Sequence, residues 1–135
     1  MDCLFCKIIK GDIPSAKVYE DEYSFAFLDI KPINLGHTLL VPKKHFTNLY
    51  EMPDEVLAEL APIIKKLGIA IKNAVSADGI NIGMNNDSAA GQLVFHAHIH
   101  IMPRFKNDGH EHWSGTPYKN DAEMNRVAEN ISSKL

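Results

Sequence analysis

From Val94 to Pro103, imidazole and apolar side chains take turns: His96, His98 and His100 alternate with Phe95, Ala97, Ile99 and Ile101. Successive side chains of a β-strand point to opposite faces, so the pattern predicts a strand with one apolar face and one face of three imidazoles. Imidazoles two residues apart on such a strand begin roughly 6.5 Å from one another, which suits one small anion or one metal ion. A single histidine in a strand is commonly a hydrogen-bonded polar residue and nothing more. Three in alternation point to a shared task.

The rest of the chain supplies partners for that strand. Ala16 to Glu20, Tyr23 to Asp29 and His37 to Pro42 are rich in aromatic and β-branched residues and are separated by turn formers, which predicts three adjacent antiparallel strands. Gly79 to Asn85 is a further strand, joined to the histidine strand by the polar loop 86–91. Leu4 to Lys10 reads as a short helix stopped by Gly11. Asp54 to about Ala77 is the main helix, since Val56, Leu60, Ile63, Ile64, Leu67, Ile71 and Ala74 recur at the helical period; Pro62 inside it predicts a kink. Asn120-x-x-Glu123 has the form of a capping box, and the stripe Met124, Val127, Ala128, Ile131, Leu135 predicts a C-terminal helix that needs a surface to pack on. Between Arg104 and Asn120 there is little periodicity, and an ordered loop or arm is expected.

Composition narrows the class of function. A chain of 135 residues, 45% hydrophobic, fits one domain, and a formal net charge of -3 supplies no basic field for nonspecific nucleic-acid binding. The N-terminal residues Met1 to Lys7 lack the pattern of a signal peptide, and no apolar run approaches the roughly 18 residues of a membrane span, so a soluble cytoplasmic protein is expected. The two cysteines, Cys3-x-x-Cys6, then point to metal binding or redox chemistry rather than a structural disulfide.

The histidines admit three chemistries. They could share a metal ion, as neutral imidazoles commonly do. One could attack phosphorus while its neighbours donate hydrogen bonds to the non-bridging oxygens. The same pocket could instead bind a nucleotide without turnover. Gln92, with an amide to donate, and Ser88, with its hydroxyl beside a glycine-containing loop, favour the second.

The segment His96-Ala97-His98-Ile99-His100-Ile101-Met102 has the form His-φ-His-φ-His-φ-φ, with φ apolar. Together with Phe5-Cys6-Lys7-Ile8-Ile9, Gly11-Asp12-Ile13-Pro14, Phe27-Leu28-Asp29-Ile30, the run from Gly36 to His45, and Gly91-Gln92, it resembles the histidine triad (HIT) family. The resemblance is strongest to the Hint branch and its prokaryotic members with an N-terminal Cys-x-x-Cys. It implies an α+β, HIT-like fold, a five-stranded antiparallel sheet carrying a long helix, paired as a homodimer. Residues 1–104 would be the HIT domain, and 105–135 an arm and helix packing on the same domain or on the partner.

The activity implied is hydrolysis at the α-phosphorus of purine nucleoside 5′-phosphoramidates or related adenylates, releasing AMP or GMP. By this resemblance His98 is the nucleophile, with its tautomer fixed by a backbone carbonyl. His100 bonds phosphate oxygen, and His37 completes the polar network. Asn85 and Gln92 reach toward phosphate or leaving group, Asp29 accepts from ribose hydroxyls, and Phe5, Ile8, Ile30 and Leu39 surround the base. Leu93 stands where many Hint proteins have a phosphate-contacting serine, a task for which Ser88 is the nearby substitute. Cys3, Cys6, His45 and His96 match a structural zinc site, with no catalytic metal. Three alternatives stand beside this reading: a dinucleoside polyphosphate hydrolase, a non-catalytic nucleotide-binding regulator, and a metal-dependent hydrolase.

Overall fold

Turn chemistry decides where the first strands begin and end. In the computed structural model, which describes residues 2–135, the Asp21 carboxylate accepts from the N–H groups of Tyr23 and Ser24 at 2.8 and 2.7 Å. This closes the hairpin between β1 (Lys17–Glu20) and β2 (Ser24–Leu28). β3 (Thr38–Pro42) follows a turn at Gly36, whose φ of 101° and close approach to Val75, where an added Cβ would lie 3.1 Å from Cγ1, both demand glycine. β4 (Gly79–Gly83) and β5 (Ile99–Arg104) complete an antiparallel sheet in the order β1-β2-β3-β5-β4, with the histidine strand in its interior.

Helices cover both faces of this sheet. α2 (Asp54–Ala74) lays Leu60, Ile63, Leu67 and Ile71 against Ala26, Leu40, Ala97, Ile99 and Ile101. It continues as one helix through Pro62, which lies on its exposed side. Across the sheet, α1 (Leu4–Lys10) packs Phe5 and Ile8 on Phe25, Phe27, Leu39 and Val41. α1 ends where expected, with Gly11 at φ 85° donating back to Ile8 and Lys7 carbonyls. The period-2 alternation therefore sends Ile99 and Ile101 toward α2 and turns His98 and His100 to the α1 side.

Three expectations are corrected. Pairing of the histidine strand begins only at Ile99; Val94 to His96 form a bend, and the N–H of Ala97 donates to Phe46 O at 2.7 Å instead of to a strand neighbour. The β3 partner that a longer ladder would meet is Pro42, which has no N–H, and its carbonyl is taken by the His96 ring at 2.8 Å. Phe95 consequently leaves the apolar face and is 47% exposed. β4 stops at Gly83 rather than Asn85, and α2 at Ala74 rather than Ala77, where Ser76 at φ 54° turns the chain.

The C-terminal helix α3 (Asp121–Ser132) forms with Asn120 as its N-cap, accepting from Glu123 N–H at 2.8 Å, while the Glu123 carboxylate reaches one residue past the expected capping-box partner and accepts from Lys119 N–H at 2.8 Å. Its stripe of Met124, Val127 and Ile131 stays exposed on the single chain. Among the described residues, no helix is long and apolar enough to cross a membrane.

Candidate active site

The histidines on the α1 side are ordered by their hydrogen bonds. His98 lies within 2.7 Å of the carbonyl of His96 through Nδ1, and a carbonyl only accepts, so the proton is on Nδ1 and the Nε2 lone pair is free. Phe5 holds the ring from the side, edge to face with centroids 5.1 Å apart. His37 receives the N–H of Ile33 on Nδ1 at 3.2 Å, which places its own proton on Nε2. That proton points at His100 Nδ1, 2.9 Å away, so His100 must carry its proton on Nε2. An unprotonated nitrogen on His98 and an N–H on His100 thus stand on rings whose centroids are 5.0 Å apart.

Burial keeps these rings neutral. It lowers the pKa of His37 and His98, and pushes His100 from 6.5 to about 4, with unfavourable proximity to His98 and His37 adding to the effect. Because the folded-state pKa of His100 is depressed, the unfolded chain takes up the proton first as pH falls. Stability from this group is full above about 6.5 and is lost as the pH falls toward about 4. Urea midpoints measured across that window should fall with acidification, and fall less steeply in His100→Gln; parallel slopes would contradict a buried neutral His100.

A cleft of about 460 Å³ opens beside His37 and His100, lined also by Asn85, Met102 and Arg104 and by the arm residues His110 to Trp113, while His98 is not part of its lining. Asp29 lies beside His37, with Oδ2 3.7 Å from His37 Nε2, and its other oxygen accepts from Lys31 N–H. Ile30 is 93% exposed, whereas Phe5, Ile8 and Leu39 are buried in the small core behind the histidines. Asn85 reaches Gly91 O at 3.5 Å, and Ser88 opens the exposed 3-10 turn Ser88–Ala90. Gln92 is placed differently from its expected role. Both of its amide hydrogens go to backbone carbonyls, of Thr47 at 2.7 Å and Val94 at 3.1 Å, while its oxygen accepts from Asp87 N–H. This amide ties the loop to the segment after β3 and has no proton left for a phosphate. A larger cleft of about 620 Å³, between Tyr23, Lys43, Phe46 and Glu59, contains no histidine and lies apart from this chemistry.

Four other ligating groups converge at the far end of the histidine segment. Cys3 Sγ is 3.5 Å from His96 Nδ1, Cys6 Sγ is 3.5 Å from His45 Nδ1 and 3.6 Å from His96 Nδ1, and all four ligand atoms lie within 4.8 Å of one another. The edge of a tetrahedron built on metal–sulfur bonds of about 2.3 Å and metal–nitrogen bonds of about 2.0 Å is about 3.5 Å. The His96 ring bonds Pro42 O through Nε2, so its Nδ1 lone pair is turned toward the sulfurs. The cluster can hold a metal ion. Asp29, His37 and His100 also converge, yet a proton on His37 Nε2 fills the space between the two rings, which disfavours a metal there.

Sequence reasoning missed the network under the cleft. Asp108 accepts from Arg104 Nε and Nη2, from the N–H groups of Phe105 and His110, and from Asn34 Nδ2. The Arg104 guanidinium holds its carboxyl far below the usual carboxylate range. The Arg104-x-x-x-Asp108 spacing was the available signal, but it runs through a turn rather than a helix.

Sheet, helices and paired neutral imidazoles together define a histidine triad protein. A family model described as HIT domain matches residues 10–107, and the chain belongs to that family. It is 39% identical over 138 residues to adenosine 5′-monophosphoramidase hnt1 of Schizosaccharomyces pombe, covering 100% of this chain and 99% of that one. A crystal structure of a HIT-family protein from Bacillus subtilis superposes with a TM-score of 0.93 at 42% identity, over 100% of this chain and 98% of that one. A zinc-bound histidine triad family protein from Mycobacterium smegmatis gives 0.78 at 35% identity, over 100% and 99% of the two chains.

Proposed function

We propose that the protein is a Hint-type hydrolase acting at the α-phosphorus of purine nucleoside 5′-phosphoramidates or related adenylates. The observation that carries this reading is the His98 Nδ1 bond to the His96 carbonyl, which leaves a neutral, buried ring with its Nε2 lone pair free. Nε2 attacks phosphorus, the phosphorus–nitrogen bond breaks, and the amine departs with a proton drawn from water. His100 Nε2–H donates to a non-bridging oxygen as charge grows there. Water then cleaves the nucleotidyl-histidine bond, releasing the nucleoside monophosphate. Asp29 accepts from the ribose hydroxyls, exposed Ile30 covers the base, and Asn85 and Ser88 flank the phosphate. The kinship to a relative named adenosine 5′-monophosphoramidase supports the substrate class.

In the same reading, Cys3, Cys6, His45 and His96 hold a structural zinc. A closed shell of two cysteines and two histidines has no position for substrate, so it fixes α1 against the histidine segment and takes no part in the reaction. The HIT domain would end at Arg104, and 105–135 would serve as an arm and helix. A second copy of the chain would cover the exposed stripe of α3 and the open edge of β4, giving a homodimer.

Comparing adenosine 5′-phosphoramidate with diadenosine polyphosphate tests the reading, with sedimentation of the same preparation to count chains. Preference for the phosphoramidate is expected. Preference for the polyphosphate would transfer the site to a nucleotide leaving group. Nucleotide binding without turnover of either would make the protein a regulator.

A further inference from the structure

The arm after β5 is wired to the histidine that faces the cleft. Asp108 gathers five hydrogen bonds, one of them from Asn34 at 3.0 Å, and fixes the turn that presents His110. Asn34 also donates to Pro103 O at 2.9 Å, and His110 Nε2 donates to Ile33 O at 2.9 Å. Both contacts hold the 31–36 loop, and Ile33 in that loop donates its own N–H to His37. That last bond decides which nitrogen of His37 is protonated, and so which nitrogen of His100 is.

We propose that Asp108 and His110 are positioning residues for His100: by clamping both sides of Ile33, they hold His100 in the tautomer that turns its N–H to the cleft. The pathway runs from Asp108 through Asn34 and His110 to the Ile33 peptide, then His37, then His100. Neither residue touches the reacting atoms. Asp108 is suited to the task because a carboxylate only accepts, and all five of its partners donate. An amide at the same place would turn its own N–H toward two or three of those donors.

The catalytic half of this inference rests on the reading of His100 as the donor to phosphate oxygen; the tautomer half stands without it. Long-range proton–nitrogen correlation spectra of the full chain, labelled at histidine, report the tautomers directly. Wild type should show His37 and His100 protonated on Nε2. Asp108→Asn and His110→Ala should each convert His100 to a mixture of tautomers, and His110→Gln, which keeps a donor for Ile33 O, should restore the single form. With phosphoramidate as substrate, kcat should fall by roughly tenfold in step with that mixture, part of what a general acid or hydrogen-bond donor contributes. KM should stay within about twofold. If Asp108→Asn fails to fold, the His110→Ala and His110→Gln pair decides. A single unchanged His100 tautomer in His110→Ala overturns the proposal, as does a fall in kcat without a tautomer change. A wild type that turns over no substrate yet shows the tautomer shift in the variants would defeat the hydrolase reading and leave the positioning network supported.

Discussion

His98→Ala is expected to lower turnover of adenosine 5′-phosphoramidate by at least about a thousandfold, because in the proposed reaction His98 is the covalent nucleophile, and its removal abolishes that pathway rather than weakening it. The side chain makes one ring hydrogen bond, to the His96 carbonyl, and packs against Phe5, so its loss should leave the sheet paired and the cysteine cluster intact. Rate and metal content must therefore be measured together. Activity lost while metal and melting temperature persist isolates the chemistry to this imidazole. Activity retained within about tenfold of wild type would place the nucleophile elsewhere, and the exposed N–H of His100 would then be a binding contact only. Mass spectrometry of wild type quenched during turnover should find one nucleotidyl group, absent from the variant.

Cys6→Ser is expected to have the largest effect on stability. Cys6 stands within 3.6 Å of two imidazole nitrogens, and Cys3 caps the N-terminus of the same helix. Apparent binding energies of structural zinc are roughly 10–16 kcal/mol, so losing one of four ligands should cost about 3 kcal/mol or more of unfolding free energy. Burial raises the Cys6 thiol pKa in the absence of a metal charge, with Cys3 adding to the effect, so without metal the Cys6 thiol should hold its proton and be the weaker tie. Elemental analysis with denaturant unfolding, before and after chelation, checks this. A variant that keeps a full equivalent of zinc, or a wild type whose midpoint ignores the chelator, would reduce the cluster to ordinary packing. Turnover should fall less than in His98→Ala, since α1 would loosen around Phe5 while the His98 imidazole stays in place.

Local rules made much of the fold legible. Leu4 to Lys10 stops at a glycine that the backbone needs, Asp54 to Ala74 carries a stripe of helical period, and Asn120 caps α3 by accepting from Glu123 N–H. The two sides of the histidine segment were legible from Ile99 onward for the same reason. Its first half was not, because alternation continues through Phe95 and His96 while pairing fails. What breaks the ladder is Pro42, fifty-four residues away, which has no N–H to share. Gln92 misled for a related reason. Its residue type announces a donor, but its partners are the carbonyls of Thr47 and Val94, and backbone atoms carry no letter in a sequence. The cysteine cluster was legible only through family resemblance, as its members lie up to 93 residues apart.

The orientation of the His37–His100 pair is set by one peptide N–H, that of Ile33. Every amino acid except proline supplies that group, so the hydrogen bond tolerates drift in the side chain at position 33. A survey that ranks positions by residue identity would pass over it. The polarity of the site is inherited through the course of the main chain, and evolution could alter it by reshaping the loop without exchanging a single histidine.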